Sequence, residues 1–208
     1  DVPRAELVIA GGPALERLDA DPEAQRLQAL AAKAGVVDRV SFRGRLGREA
    51  VAVLLRSADV VVSTPWYEPF GIVPLEAMAC GAPVVASGVG GLIDTVVDGV
   101  TGLHVAPQNP SSITQALNWL LTQPARRIAF GTAGAQRAHG RYGWTRIAES
   151  TLEVYSKLTS GSARSNASTW LVASTIRPVP GGTFPTMFPF GAKLLWLLSL
   201  MMFLNTRT

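Results

Sequence analysis

Two glutamates, Glu68 and Glu76, lie eight positions apart, and the first of them begins the sequence Glu-Pro-Phe-Gly. The stretch Asp59–Thr64 is short, rich in valine and bounded by polar residues, so it predicts a buried strand. The stretch after the loop predicts a helix, because Pro74 is tolerated in a first turn and Gly81 suits the position just past a helix end. The sequence therefore predicts a strand, a tight loop and a helix, with the two carboxylates flanking the helix start.

The loop between this strand and this helix has the features of a site for a sugar nucleotide. Backbone N–H groups at the start of a helix lack partners within the helix and attract anions such as phosphate. Gly71 lets a ligand approach the backbone, because it carries no side chain. A carboxylate is repelled by phosphate, so Glu68 and Glu76 are expected to bind a neutral group rich in hydroxyls. Phosphate on the helix start and hydroxyls on the carboxylates together describe a sugar nucleotide.

The segment from about residue 5 to 158 resembles the retaining glycosyltransferases of family 4, which have the two-domain GT-B fold. The signature of that family is a glutamate, seven residues and a second glutamate, set in the motifs Glu-Pro-Phe-Gly and Glu-Ala-Met-Ala-x-Gly. Further matching motifs are Pro83–Ala86, Ser87–Gly91 and Asp98–Val105. The resemblance implies a hexosyltransferase whose donor substrate is a nucleoside diphosphate sugar, with no separate cofactor and no essential metal.

The resemblance also implies roles for individual residues. Glu68 would contact the transferred sugar as the catalytic residue, and Glu76 would hold the ribose hydroxyls of the nucleotide. The backbone N–H groups of the loop would face the diphosphate and the sugar. The remaining donor-binding candidates are the loop residues Phe70, Gly71 and Ile72, the backbone of Arg43 beside the base, and the glycines Gly90 and Gly91. No residues have the spacing of a metal-ligand set.

Strands and helices alternate along the first 158 residues, which is the pattern of a parallel sheet with helices on both faces. We therefore expect an α/β, doubly wound fold that forms one Rossmann-like half of a GT-B protein. Ligands of such sheets bind outside the carboxyl ends of the strands. Four groups are expected there: Gly11 with Gly12, Arg43 with Gly44, the Glu68 loop, and Gly88–Gly91. The predicted strands are 6–10, 39–42, 59–64, 84–86 and 103–105. The predicted helices include 22–34, 48–58, 124–138 and 145–158. A further predicted helix is capped by Ser111 or Ser112 and ends at residue 121.

Charge divides the chain into two parts. Residues 1–159 contain 15 basic and 15 acidic side chains, whereas residues 160–208 contain four basic side chains and no acidic one. The net charge of +4 therefore belongs to the tail, and no basic stripe indicates binding to nucleic acid. The single cysteine, Cys80, excludes an intramolecular disulfide and fits a cytoplasmic location. We predict a sugar-nucleotide-binding domain at 1–159 and an atypical tail at 160–208.

The tail is rich in Ser, Thr, Gly and Pro after residue 160 and then carries the apolar run 194–204. That run is shorter than the ~20 residues needed to span a bilayer. Three interpretations stay open: a peripheral contact with the inner face of the membrane, a hydrophobic helix that docks on a partner, or a disordered or non-native segment such as the product of a shifted reading frame. The loss of acidic residues at 160 slightly favours the third.

The family resemblance further implies an N-terminal acceptor domain and an upstream Gly-Arg and Lys pair that neutralises the leaving diphosphate. Both would precede residue 1, so the chain is expected to be the donor-binding half of an enzyme and inactive alone. The alternative is a non-catalytic module that binds a sugar nucleotide. A glycosidase ranks last, because retaining hydrolases need carboxylates ~5–5.5 Å apart across a glycosidic bond, whereas Glu68 and Glu76 flank a helix start.

Overall fold

The computed structural model of the chain describes residues 2, 4–162 and 201–206. Its six strands form one sheet, and seven α-helices and two short 3₁₀ helices are described with it. The strands are β1 (Ala5–Ala10), β2 (Val40–Gly44), β3 (Val60–Ser63), β4 (Val84–Ser87), β5 (Gly102–Val105) and β6 (Met201–Thr206). The helices are α1 (Pro22–Lys33), α2 (Arg48–Ser57), α3 (Ile72–Ala79), α4 (Leu92–Thr95), α5 (Pro110–Leu121), α6 (Pro124–Tyr142) and α7 (Trp144–Ser162).

The strand order across the sheet is β2-β1-β6-β3-β4-β5. The pairs β1–β2, β3–β4 and β4–β5 are parallel, whereas β6 lies antiparallel between β1 and β3. The parallel strands place their carboxyl ends along one edge of the sheet, as in the doubly wound folds that bind nucleotides. All five strands predicted from the sequence are present, and the prediction of a doubly wound α/β fold is confirmed.

The sheet is covered on both faces because successive strand residues point to opposite sides. On one face, Val61 and Val84 pack in a core with Leu55 and Met78 of helices α2 and α3. On the other face, the neighbouring strand residues pack against α5 and α6; this second core contains Val60, Val62, Val85, Val105, Ala116, Leu120 and Phe130. Strands β3 and β4 are buried throughout, so their near-continuous valine runs are explained by two-sided burial.

Helix starts follow from local hydrogen bonding. Asp21 caps α1 by accepting a hydrogen bond from Ala24 N at 2.9 Å. The cap of α5 is Asn109, which accepts from Ser112 N at 3.1 Å. The predicted cap at Ser111 or Ser112 is therefore wrong, because Pro110 fits the first helical position and places Asn109 directly before it.

Strand β6 is the main element that the sequence did not predict. Residues 201–204 belong to the apolar run of the tail and are paired in the middle of the sheet, so the interpretation of that run as a helix does not hold for them. The other tail residues from 163 on lie outside the described residues, and the division of the chain at residue 160 stays a prediction. Within the part of the chain that the structure describes, no helix combines the length and the apolar character that a membrane crossing requires.

Candidate functional site

The loop between β3 and α3 closes with a left-handed turn at Gly71. Gly71 has φ +89° and directly precedes the first residue of α3. A Cβ at this position would lie 2.8 Å from a methyl carbon of Leu92. Glycine is therefore required here both by the backbone conformation and by the packing of α4 against the loop.

The Glu68 carboxylate turns back onto its own loop. Its Oε1 accepts hydrogen bonds from Gly71 N at 3.0 Å and from Phe70 N at 3.3 Å. Two of the three backbone N–H groups expected to face the diphosphate and the sugar are thus engaged by a carboxylate. The same bonds show that these donors converge on one oxygen, which is the geometry that an anion or a sugar hydroxyl needs. A ligand oxygen that binds there must replace the Glu68 carboxylate.

Two further glycines hold the Glu68 loop from the neighbouring segment. Gly91 N donates to Glu68 O at 2.9 Å. A Cβ on Gly90 would lie 2.2 Å from Glu68 O, and a Cβ on Gly91 would lie 2.4 Å from Pro69 O. The absence of side chains at Gly90 and Gly91 is therefore needed for packing against the loop. Their predicted role in donor binding stays a prediction beside this structural one.

The other predicted donor-binding residues are exposed. Glu76 lies on α3, one helical turn after Ile72, so both point to the same side of the helix. The side chain of Ile72 is 61% exposed and that of Phe70 is 50% exposed. The structure thus gathers Glu68, Phe70, Gly71, Ile72 and Glu76 at one end of β3, with apolar side chains facing solvent beside the carboxylates.

A second group of residues lies at the carboxyl ends of β1 and β2. Here Gly11, Gly12 and Gly44 line a cavity of about 170 Å³. That volume is below the ~300–1,000 Å³ typical of ligand pockets, so the cavity can accommodate only part of a ligand. Arg43 is exposed, and the cavity is lined by its neighbours Phe42 and Gly44. Arg43 itself does not line this cavity, and its role beside the base stays a prediction.

Two carboxylates border this cavity, and both already have structural partners. Asp21 caps helix α1 through its side chain. Glu23 forms an ion pair with Arg26 at 2.6 Å, and the hydrogen bond from Arg26 lowers the pKa of Glu23 below its ordinary value. Among the described residues, no cluster of three or more His, Cys, Asp or Glu side chains could hold a metal ion.

The two groups lie along the same edge of the sheet. Strands β1 and β3 are separated by the single strand β6, which places them about 10 Å apart at the usual spacing of neighbouring strands. The glycine-lined cavity and the Glu68 loop therefore flank a surface wide enough for an extended ligand. The sequence indicated both groups, but it did not indicate three residues that support the Glu68 loop. The hydroxyl of Thr95 lies within hydrogen-bond distance of Phe70 O, and the ring of Tyr142 packs against the ring of Phe70. Arg137 donates to the carbonyl of Thr95 in α4.

Solved structures with this architecture identify the class. Sucrose-phosphate synthase from Thermosynechococcus elongatus is 38% identical with a TM-score of 0.65, over 74% of this chain and 39% of that one. Anabaena Alr3699/HepE in complex with UDP-glucose is 26% identical with a TM-score of 0.62, over 72% of this chain and 40% of that one. The described sheet and helices have the fold of the GT-B glycosyltransferases. Residues 1–137 match the family described as Glycosyl transferases group 1, and the chain belongs to that family.

Curated relatives agree with this assignment. D-inositol 3-phosphate glycosyltransferase 2 of Catenulispora acidiphila is 39% identical over 156 residues, which are 74% of this chain. The match covers 36% of that relative's length. The chain therefore spans about a third of the length of such relatives, and the similarity concerns the part that contains the doubly wound sheet.

Proposed function

We propose that this chain is the donor-binding half of a retaining glycosyltransferase of family 4, which transfers a hexose from a nucleoside diphosphate sugar to an acceptor hydroxyl. The observation that carries the proposal is the convergence of Phe70 N and Gly71 N on one oxygen at the start of α3, beside Glu68. A similar structure was solved with UDP-glucose, which supports a sugar nucleotide as the ligand. The donor is a substrate, and no cofactor or metal is part of the proposal.

Each residue then has a distinct role. Glu76 accepts hydrogen bonds from the ribose hydroxyls, while the cavity beside Gly11 and Gly44 receives part of the nucleoside. Glu68 leaves its own loop and contacts the transferred sugar, so that Phe70 N and Gly71 N become available to the ligand. The start of α3 stabilises the negative charge that develops on the leaving diphosphate, since preorganised N–H donors act most strongly where charge forms.

Transfer breaks the bond between the anomeric carbon and the diphosphate oxygen and forms a bond from that carbon to the acceptor oxygen. The nucleoside diphosphate departs with the electron pair of the broken bond, and the proton of the acceptor hydroxyl passes to that diphosphate or to solvent. Holding donor and acceptor in one geometry contributes much of such a rate enhancement. We further propose that the acceptor and further cationic groups belong to an N-terminal domain of the longer protein, which acts in the cytoplasm at the inner face of the membrane.

Titration calorimetry with paired variants tests the proposal. Glu76→Gln should weaken binding of UDP, GDP or ADP, whichever the chain prefers, by about 1–3 kcal/mol, as for a lost hydrogen bond to a charged group. Glu68→Gln should leave this binding nearly intact, because its amide oxygen still accepts from the loop, and should reduce only the extra affinity of the nucleotide sugar. Glu49→Gln, at an exposed glutamate of α2, is the matched control.

Two results would contradict the proposal. Equal losses of nucleotide binding for Glu68→Gln and Glu76→Gln would contradict the separate roles of the two glutamates. An absence of binding to every nucleotide sugar would contradict the presence of a donor site. The alternative function, a module that binds a sugar nucleotide without transfer, predicts the same binding results. A transfer assay with the longer protein separates the two, since only an enzyme would lose transfer on Glu68→Ala.

A further inference from the structure

Helix α6 contacts the short helix α4 through its last two turns. Arg137 Nε donates to Thr95 O at 3.1 Å, and Arg137 Nη2 donates to Asp94 O. Tyr142 Oη also donates to Asp94 O, at 3.4 Å. These carbonyls end α4, where the last carbonyl groups of a helix lack partners within it. Arg137 therefore fixes the end of α4 with two bonds from one planar group.

Thr95 joins the end of α4 to the Glu68 loop. Its Oγ1 lies 2.7 Å from Phe70 O and 2.8 Å from Gly91 O, so its single hydroxyl proton can be donated to either carbonyl. Thr95 is only 2% exposed, so water cannot readily replace these bonds. Any movement of the α4 end changes the bond to Phe70, which carries one of the two N–H groups that converge on Glu68.

Tyr142 reaches the same loop through its ring. Phe70 and Tyr142 form an edge-to-face pair with ring centroids 6.2 Å apart and planes at 79°. The guanidinium carbons of Arg137 and Arg141 lie 5.9 Å and 5.8 Å from the centroid of the Tyr142 ring. Cations at such distances are attracted to an aromatic face. Phe70 is half exposed, so the contact with Tyr142 restrains a side chain that the core does not enclose.

We propose that Arg137 and Tyr142 are positioning residues for the Glu68 loop. Neither residue forms a described hydrogen bond with Glu68. Arg137 acts through Thr95 and the carbonyl of Phe70, whereas Tyr142 acts on the Phe70 ring. Together they keep the N–H groups of Phe70 and Gly71 converging, so that the sugar nucleotide meets an ordered loop. The inference rests on the proposed function for the identity of the ligand, but the contacts that order the loop do not depend on it.

Arg127 of the same helix provides a matched control. Its Nη1 donates to Leu120 O at 3.1 Å and to Leu121 O at 2.7 Å, at the end of α5. Its Nη2 also lies 3.4 Å from a carboxylate oxygen of Asp59, before the amino end of β3. Arg127→Ala therefore removes the same kind of bond to helix-end carbonyls, together with the ion pair to Asp59, near the amino end of β3, whereas the Glu68 loop follows the carboxyl end of that strand.

The first measurement is amide hydrogen exchange of the ligand-free full chain over residues 66–72. The variants Arg137→Ala, Arg137→Lys and Tyr142→Ala are compared with Arg127→Ala. We expect exchange in this loop to rise about tenfold in Arg137→Ala and Tyr142→Ala, because restraints on a locally opening segment are lost. Arg137→Lys should restore part of the protection, and Arg127→Ala should leave the loop unchanged. Equal exchange of the loop in Arg137→Ala and Arg127→Ala would overturn the proposal.

The second measurement is the ratio of the dissociation constants of UDP and UDP-glucose. If Arg137 is merely structural, Arg137→Ala should lower stability but leave this ratio the same as in Arg127→Ala. If Arg137 positions the loop, Arg137→Ala should reduce the extra affinity of UDP-glucose over UDP. An unchanged ratio in Arg137→Ala, with a wild-type chain that binds UDP-glucose, would refute positioning of the site. If the wild-type chain prefers GDP or ADP, the same ratio is measured with that nucleotide and its sugar. A wild-type chain that binds none of these ligands would contradict the proposed function, and loop exchange would then decide whether Arg137 orders the loop.

Discussion

A backbone contact between Gly90 and the carbonyl of Glu68 gives a quantitative test of the candidate site. Gly90 has φ +48°, and a Cβ there would lie 2.2 Å from Glu68 O and 3.1 Å from the Glu68 carbonyl carbon. Side-chain carbons do not approach backbone oxygens so closely in folded proteins. In Gly90→Ala, either the Glu68 loop or the segment around Gly90 must therefore move.

Two costs add in Gly90→Ala. A residue with a Cβ in the left-handed region costs about 1–2 kcal/mol, and forcing extra atoms into a packed contact costs about 1–3 kcal/mol more. Gly99→Ala is the matched control, because Gly99 has φ +69° and its added Cβ would have no atom within 4 Å. The control carries the conformational cost alone. We expect Gly90→Ala to be less stable than Gly99→Ala by about 1–3 kcal/mol.

Urea unfolding of the two variants measures this difference, and calorimetry with UDP-glucose measures its effect on the site. Gly90→Ala should weaken binding because the displaced carbonyl belongs to Glu68, whereas Gly99→Ala should bind like the unmodified chain. Identical unfolding midpoints with identical slopes would refute the reasoning, since they would mean that Gly90 and the Glu68 loop are not in contact in solution. A large loss of stability with unchanged binding would separate the contact from the ligand site.

Two further predictions concern the sheet and the surface. Phe203→Pro should lower the unfolding free energy by about 1–3 kcal/mol, because proline removes an N–H that pairs β6 with a neighbouring strand. Phe203 is paired with Val8 on one side and with Val61 on the other. An unchanged urea midpoint would contradict the position of β6 in the sheet. A hydrogen bond from Arg26 lowers the pKa of Glu23 in the folded chain. The pair therefore contributes its full stability at pH values above the pKa that Glu23 has in the unfolded chain. That contribution is lost as the pH falls through the lower pKa of the folded chain. Glu23→Gln should therefore lower the urea midpoint slightly at neutral pH and not in strong acid, and a larger loss in acid would show that the sign is wrong.

The sequence predicted the parts of the fold that depend on local pattern. The valine runs of β3 and β4 and the motif from Glu68 to Gly81 specify strand, loop and helix with residues that are close along the chain. The proximity of the Glu68 loop to Gly90 and Gly91 followed from the rule that parallel strands end at one edge. The hydrogen bond from Gly91 N to Glu68 O was not predicted, because it depends on how two separate loops pack together.

Contacts between distant residues could not be predicted in this way. Arg137 lies 43 residues after Asp94, and nothing in its helical pattern distinguishes it from the other arginines of α6. Thr95 looked like an ordinary residue of a short helix, although its hydroxyl reaches Phe70 O. Strand β6 was missed for another reason, because apolar periodicity alone does not separate a buried strand from a short helix.

The place of β6 in the sheet also determines the order in which the protein can fold. Strands β1 and β2, and strands β3 to β5, are each contributed by neighbouring stretches of the chain, but Ala5 pairs with Thr206. Contacts between residues so far apart in sequence form late, because the entropy of closing the intervening chain must first be overcome. During synthesis, β3 and β1 can acquire their common partner only after residue 206 has left the ribosome. Before β6 pairs, β1 and β3 lack this partner along their inner edges, and unpaired strand edges of this kind favour aggregation.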